Sequence, residues 1–419
     1  MFKNYLIIAL KVFQKRKFFT FINLFGIVLT MSVLVVGLTL LENYIYPGHA
    51  EKNHDNMLSV SYLRALNKER TQSSSSDPGY YFLNKYVKPL KSADKVSIFS
   101  SPRMVSVYLD GQQVKSRMRL TDADYFSILD FNFKQGSAYQ QDDFEQGRSV
   151  AVINQHTKSL LFNDGNAIGE KIKFDEKVFT VVGVVDNVSL LEQDAYSDIW
   201  VPYTTAPSSS YKTDFMGGWG ALIYVDSEDK RQFIQSEYIN ALKNHFEPYA
   251  STGSDTVYAT VYSTADTKFS RLARDINNSR TFDTGDDQLL LMLGLIAIAF
   301  MLLPSINMIN LNVSRILERS TEIGVRKSFG ASSGHLVIQF LIENILLTLI
   351  GAAVSLIISI GILEYIEYLG LIPYAELSIN TSVVVITLVL SIFFGTLSGI
   401  YPAYRMSKLN PVIALKGAA

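Results

Sequence analysis

Cysteine is absent from the 419 residues, which excludes a disulfide framework, a thiol nucleophile and a cysteine-borne lipid anchor. No Gly-x-x-x-x-Gly-Lys-[Ser/Thr] run exists to cradle phosphates. The five histidines show no His-Glu-x-x-His spacing, and the neighbouring His49 and His54 read as a solvated loop. No Gly-x-Ser-x-Gly elbow appears. Asp283, Asp286 and Asp287 cluster but lack the alternating ligands and terminal Glu of a calcium loop, so they read as acids at a helix N-terminus. A net charge of −1 argues against a nucleic-acid-binding surface. As an enzyme, the sequence is silent: no catalytic residue, cofactor site or metal site is expected.

Charge is all but missing from four apolar stretches, residues 18–41, 289–313, 336–363 and 383–401, with Glu343 the exception. Each has about the 20 residues a helix needs to cross ~30 Å of hydrocarbon. The layout is one plus three, with residues 42–288 between the first and second spans. The fold class expected is an α-helical membrane protein with four transmembrane helices and a large extracytoplasmic mixed α/β domain. The first span lacks a small-x-small cleavage site at its end and reads as an uncleaved anchor. Without disulfides, the outer domain must be held by packing, which its length permits.

Lys and Arg set the orientation. The tail before span one carries Lys3, Lys11, Lys15, Arg16 and Lys17; the 314–335 loop carries Arg315, Arg319, Arg326 and Lys327. The 402–419 tail adds Arg405, Lys408 and Lys416, whereas the 364–382 loop has no Lys or Arg. Short basic segments stay cytoplasmic, so both termini and the 314–335 loop are expected inside, and the large domain and the 364–382 loop outside. Residues 1–17, with Phe2, Leu6, Leu10 and Phe13 among basic residues, read as an amphipathic helix at the lipid interface.

Within the outer domain, residues 105–109, 150–153, 171–174, 178–185, 199–203 and 222–225 have strand patterns. Asp110-Gly111 has the chemistry of a tight hairpin turn. Residues 122–129, 155–161, 230–243 and 264–277 have helical patterns, and 71–79 and 206–220 read as loops or hinges. Inside the spans, Pro304 predicts a kink. Ser305, Asn307 and Asn310 predict hydrogen bonds to neighbouring helices. Glu343 reads as snorkelling or pairing with a cytoplasmic base in preference to proton coupling.

Residues 315–332 form a short charged segment with Glu322 and Arg326 in the favourable i,i+4 order. Ile316, Ile323 and Phe329 can share one stripe, and Gly330 is a plausible stop. A solvated connector and a docking helix both fit this pattern.

The run from Asn307 to Leu311, followed by Glu318-Arg-Ser-Thr-Glu-Ile-Gly-Val-Arg-Lys-Ser-Phe-Gly330, closely resembles the cytoplasmic signature of MacB/FtsX-like ABC transporter permeases. Tyr401-Pro-Ala-Tyr-Arg405 and Leu409-Asn-Pro-Val-Ile-Ala-Leu415 resemble the end of such chains, and residues 15–26 their opening in Bacteroidota. Residues 149–153, 166–171, 179–185 and 198–202 resemble the family's periplasmic core. The resemblance implies residence in the bacterial inner membrane, a periplasmic MacB-like core domain, and ATP and Mg held by a separate cytoplasmic ABC ATPase. It also implies a second permease copy or paralogue, a periplasmic adaptor or substrate protein, and contact with membrane lipid. Glu318, Arg319, Glu322, Ile323, Gly324, Arg326, Lys327 and Gly330 are the implied ATPase-coupling residues. Export, efflux or lipoprotein extraction is the implied function. The alternative is a membrane-anchored sensor or scaffold that binds a ligand or regulates an envelope enzyme such as a cell-wall hydrolase.

Overall fold

The computed structural model describes residues 2–15, 17–109, 111–163, 165–250, 256–318, 325 and 332–407. The chain forms two compact units, one of Met1–Glu42, Leu290–Leu371 and Leu377–Ala419, the other of Asn43–Leu289 and Ile372–Glu376.

Among the described residues of the chain, four helices are long and apolar enough to cross a membrane: Lys17–Ile45, Asp286–Ser314, Val337–Tyr368 and Thr381–Tyr404. Their outward positions are apolar, with Phe18, Leu303 and Ile357 about 70% exposed, as lipid-facing side chains are. Inward, Ile27, Met31, Met301, Met308, Leu347 and Phe394 pack together. The third and fourth spans meet through Gly395 and Gly399, a small-xxx-small pair that lets backbones approach closely. A Cβ at Gly399 would lie 2.9 Å from Leu341 Cδ2, and one at Gly395 would strike Thr348 Oγ1. Pro304 lies inside the second spanning helix.

The polar groups in the spans differ from expectation. Ser305 is buried, but its hydroxyl donates to Met301 O in its own helix (2.7 Å) rather than to a neighbour. Asn307 and Asn310 face outward, and it is Asn312 that turns in and donates to Asn344 Oδ1 at 2.7 Å. The helical register explains this, because Asn312 lies four residues after buried Met308 and so on the same inward face. Of the two expectations for Glu343, snorkelling is not met: the side chain is buried and accepts from Gln339 Nε2, one turn away in its own helix, at 3.1 Å.

Among the described residues, the α/β unit has two lobes. The first holds a three-stranded sheet in the order Met57–Val60, Trp219–Tyr224, Lys95–Ser100. A four-stranded sheet accompanies it, in the order Tyr249–Ala250, Val257–Tyr262, Leu63–Asn67, Ser73–Ser76. Helices Tyr80–Tyr86 and Glu228–His245 contribute Phe82, Leu83, Ile234 and Tyr238 to this lobe's core.

The second lobe is a seven-stranded sheet ordered Phe133–Gly136, Lys177–Val185, Val150–Asn154, Ile199–Pro202, Gln112–Thr121, Arg103–Leu109, Lys171–Phe174. Lys171–Phe174 also pairs with Lys177–Val185, so six of the strands close a ring. Val105, Val107, Phe179 and Val181 follow the strand period of two into its core.

The hairpin across residue 111 forms as the sequence predicts, with Gly111 at φ 81°. Two expectations fail. Residues 71–79 contain the edge strand Ser73–Ser76, and residues 206–220 end inside the strand Trp219–Tyr224. The helical pattern at 122–129 shortens to Tyr125–Ile128, because Asp122 is spent on Ser97 Oγ (2.6 Å) and on the Ile98 N–H (3.0 Å).

Candidate functional site: a buried junction in the α/β unit

Residues 189–198 form turns and extended chain between two strands, and six of them carry acidic or hydroxyl side chains that are buried. An irregular buried segment must have its polar groups satisfied from outside. Here the partners come from distant parts of the chain. Glu51, nine residues after Glu42, is fully buried; its N–H donates to Glu192 Oε2 at 2.9 Å and its Oε1 accepts from the Ala195 N–H at 2.7 Å. Lys268 forms an ion pair with the other Glu51 oxygen and lies over the Tyr44 ring at 5.5 Å. Lys268 opens helix Lys268–Asn277, whose N-terminus Thr267 caps by accepting from the Ser270 N–H. One turn on, Arg271 Nη1 donates to Asp194 Oδ1 at 2.7 Å, and Ser59 Oγ donates to the same oxygen at 3.3 Å.

A third partner is the 372–376 segment. The Leu190 N–H donates to Pro373 O at 3.0 Å, and Tyr374 Oη donates to Asp198 Oδ1 at 2.9 Å. Asp198 also accepts from Asn154 Nδ2 at 3.0 Å and from the Arg117 N–H at 2.7 Å. Arg119 fixes the middle of the segment from below: its guanidinium donates to the carbonyls of Gln193, Asp194 and Tyr196 at 2.8, 2.7 and 3.1 Å. Residues 189–198 are thus joined to the chain just after span one, to the helix that precedes span two, and to the loop between spans three and four.

Burial pushes the Glu192 carboxyl up to about 7, and the neighbouring Glu51 charge adds to the effect. Burial also acts on Asp194, but Arg271 and Lys268 outweigh it and hold that carboxyl below its usual value. Desolvation raises the Tyr374 hydroxyl, with the Asp198 charge in support. Two carboxyls two residues apart therefore differ: Asp194 is held as an anion, and Glu192 is poised to take up a proton near neutrality. The cluster holds structure rather than a substrate bond, because every one of these charges is committed to another part of the chain.

Of the sequence-predicted coupling residues, Glu318 ends helix Asp286–Glu318. Arg319, Glu322, Ile323, Gly324, Arg326, Lys327 and Gly330 lie outside the described residues. None of Glu51, Glu192, Asp194, Lys268, Arg271 or Tyr374 carried a local signal in the sequence, since each partner is far away along the chain.

The chain matches the MacB-like periplasmic core domain over residues 20–236 and the FtsX-like permease C-terminal domain over residues 294–411. It is 26% identical over 295 residues to the macrolide export ATP-binding/permease protein MacB of Chromobacterium violaceum, across 70% of this chain and 42% of that protein. It is 23% identical to the uncharacterized ABC transporter permease YknZ of Bacillus subtilis, across 85% of this chain and 84% of that one. The chain therefore spans less than half the length of that MacB relative. The crystal structure of the periplasmic region of MacB from Actinobacillus actinomycetemcomitans aligns with a TM-score of 0.34 at 16% identity, covering 52% of this chain and 94% of that one. With one family model on the large domain and the other on the later spans, the chain belongs to the MacB/FtsX-like permeases, the inner-membrane subunits of ABC transporters that carry a periplasmic domain.

Proposed function

We propose that this permease passes ATP-driven movement from a separate cytoplasmic ATPase to its periplasmic domain, in export, efflux or lipoprotein extraction. The observation that carries the reading is the convergence on residues 189–198 of all three chain segments that lead from the spans into the α/β unit. A displacement of any one of them acts on the same buried ion-paired segment. On the cytoplasmic side, with both termini inside, the ATPase docks on Glu318, Arg319, Glu322, Ile323, Gly324, Arg326, Lys327 and Gly330, where alternating acids and bases present charge-assisted contacts to a partner groove. ATP and Mg belong to that partner, and a second copy or paralogue completes the assembly.

Two variants separate docking from transmission. Exchanging the charges of Glu322 and Arg326 leaves an opposite-sign helical pair but meets the partner with like charge, at a cost of ~2–5 kcal/mol, roughly 30-fold or more in affinity. Glu51→Gln keeps an acceptor for Ala195 but loses the Lys268 ion pair. In the reconstituted complex, wild type is expected to show ATP-dependent hydrogen exchange at the amides of residues 190–198. The charge exchange loses both ATPase recovery and that response; Glu51→Gln keeps recovery and blunts the response. Equal recovery and an equal response in the charge exchange would overturn the docking assignment, and an unchanged response in Glu51→Gln the role of the junction.

A further inference from the structure

The seam between the three-stranded sheet and the closed sheet holds a cleft of about 330 Å³, within the size range of small-molecule sites. Phe99, Trp219 and, from the junction segment, Tyr196 are its aromatic lining residues. Three guanidiniums line it, of Arg117, Arg119 and Arg271, against two carboxylates, of Asp77 and Asp194, which leaves one net positive charge.

The three arginines are not equivalent. Arg271 is neutralised by Asp194 at 2.7 Å. Arg119 spends both terminal nitrogens on main-chain carbonyls, and its Cζ lies over the Phe99 ring at 4.9 Å from the centre. Its Nε is buried without a partner. Arg117 lies over the Tyr196 ring at 5.4 Å and, among the described residues, forms no ion pair with a carboxylate. Asp77, at the edge, accepts from Ser101 Oγ at 3.1 Å. With Arg271 paired to Asp194, Arg117 and Arg119 together face Asp77; Arg119 is committed to main-chain carbonyls, so the half-buried Arg117 is the cation left to meet a guest.

We infer that this cleft binds a small organic anion with a flat apolar body, an aromatic carboxylate or sulfonate. Phe99 and Trp219 in the lining favour a guest with a flat apolar body over a wholly polar one. The fork of Arg117 matches the paired oxygens of a carboxylate or sulfonate. A neutral apolar guest would bury the Arg117 charge with nothing to offset it. A polyphosphate would bring more negative charge than one net cation balances. Nothing in this assignment depends on an ATPase partner or on force passing through the junction.

The test uses the full chain in nanodiscs, by equilibrium dialysis with empty discs subtracted, and three probes. Naphthalene-2-sulfonate has both features, naphthalene-2-sulfonamide the ring without the charge, and methanesulfonate the charge without the ring. Saturable binding of the sulfonate at one per chain is expected, with the other two at least about 10-fold weaker, the usual worth of one charged hydrogen-bonded contact. Arg117→Gln is expected to weaken the sulfonate about 10-fold and leave the sulfonamide unchanged, while Arg117→Lys recovers part of the loss. Far-UV circular dichroism of each variant checks that the fold is intact. Uptake that does not saturate, equal binding of sulfonate and sulfonamide, or a sulfonate affinity unmoved in a folded Arg117→Gln would each overturn the assignment.

Discussion

Glu192 shows how much a single buried carboxyl can do. Its pKa moves from the model-compound 4.5 to about 7, with burial as the main cause and Glu51 as the second. Between those values the folded chain keeps a proton that the unfolded chain has released, so stability falls as pH rises across that window. Once Glu192 is ionised, above about pH 7, the penalty is up to about 3 kcal/mol. Glu192→Gln fixes the neutral form and keeps an acceptor for the Glu51 N–H. Its unfolding midpoint should match wild type at pH 5 and exceed it by several degrees at pH 8, as read by scanning fluorimetry; equal midpoints at pH 8 would show that ionised Glu192 carries no such penalty. None of this is legible locally. Glu51 and Glu192 are 141 residues apart and Asp194 and Arg271 are 77 apart, so only the folded chain reveals which charges are paired. Charges of the 314–335 loop, by contrast, suggest an orientation from the sequence alone, because positive-inside bias acts within a few residues.

Among elements, legibility tracked local chemistry. The β-branched runs around 105–109, 150–153 and 178–185 became strands, and the long apolar stretches became helices. Ser73–Ser76 did not read as a strand because serine has no β-branch or ring to favour the pleat; it is held by main-chain pairing of Ser73 to Leu66 and Ser76 to Leu63. Span register was equally opaque, since periodicity cannot say which of Asn307, Asn310 and Asn312 meets a neighbour. The glycine contact between spans three and four makes an element-scale prediction. Gly395→Val would drive its Cβ into Thr348 and should lower stability in mild detergent by about 1–3 kcal/mol. Gly361→Val, with nothing within 4 Å of its added Cβ, serves as the control and should leave the midpoint near wild type. Equal loss in both variants would mean that the approach at Gly395 is not what matters.

For the whole molecule, the one-plus-three layout and the large domain were legible from hydropathy alone, while the closure of six strands into a ring was not, because it depends on pairing across distant segments. Orientation is a whole-molecule property and is open to direct test in a chain that has no native cysteine. Cysteines introduced at Ser75, Ser209 and Ala375 should react with an impermeant thiol reagent in intact spheroplasts, and one at Ser320 should not. Labelling at Ser320 alone would reverse the orientation.

The closed sheet has a mechanical consequence. Strand Ile199–Pro202 begins where the junction segment ends, and it is flanked on both sides, parallel to Gln112–Thr121 and antiparallel to Val150–Asn154. A pull along residues 189–198 therefore reaches this strand lengthwise and is resisted in shear by two ladders at once, with no free edge at which to start peeling. Hydrogen bonds sheared together fail at far higher tension than bonds unzipped one by one. The lobe would turn or shift as a solid body before that strand came loose, like a bolt rather than a zipper.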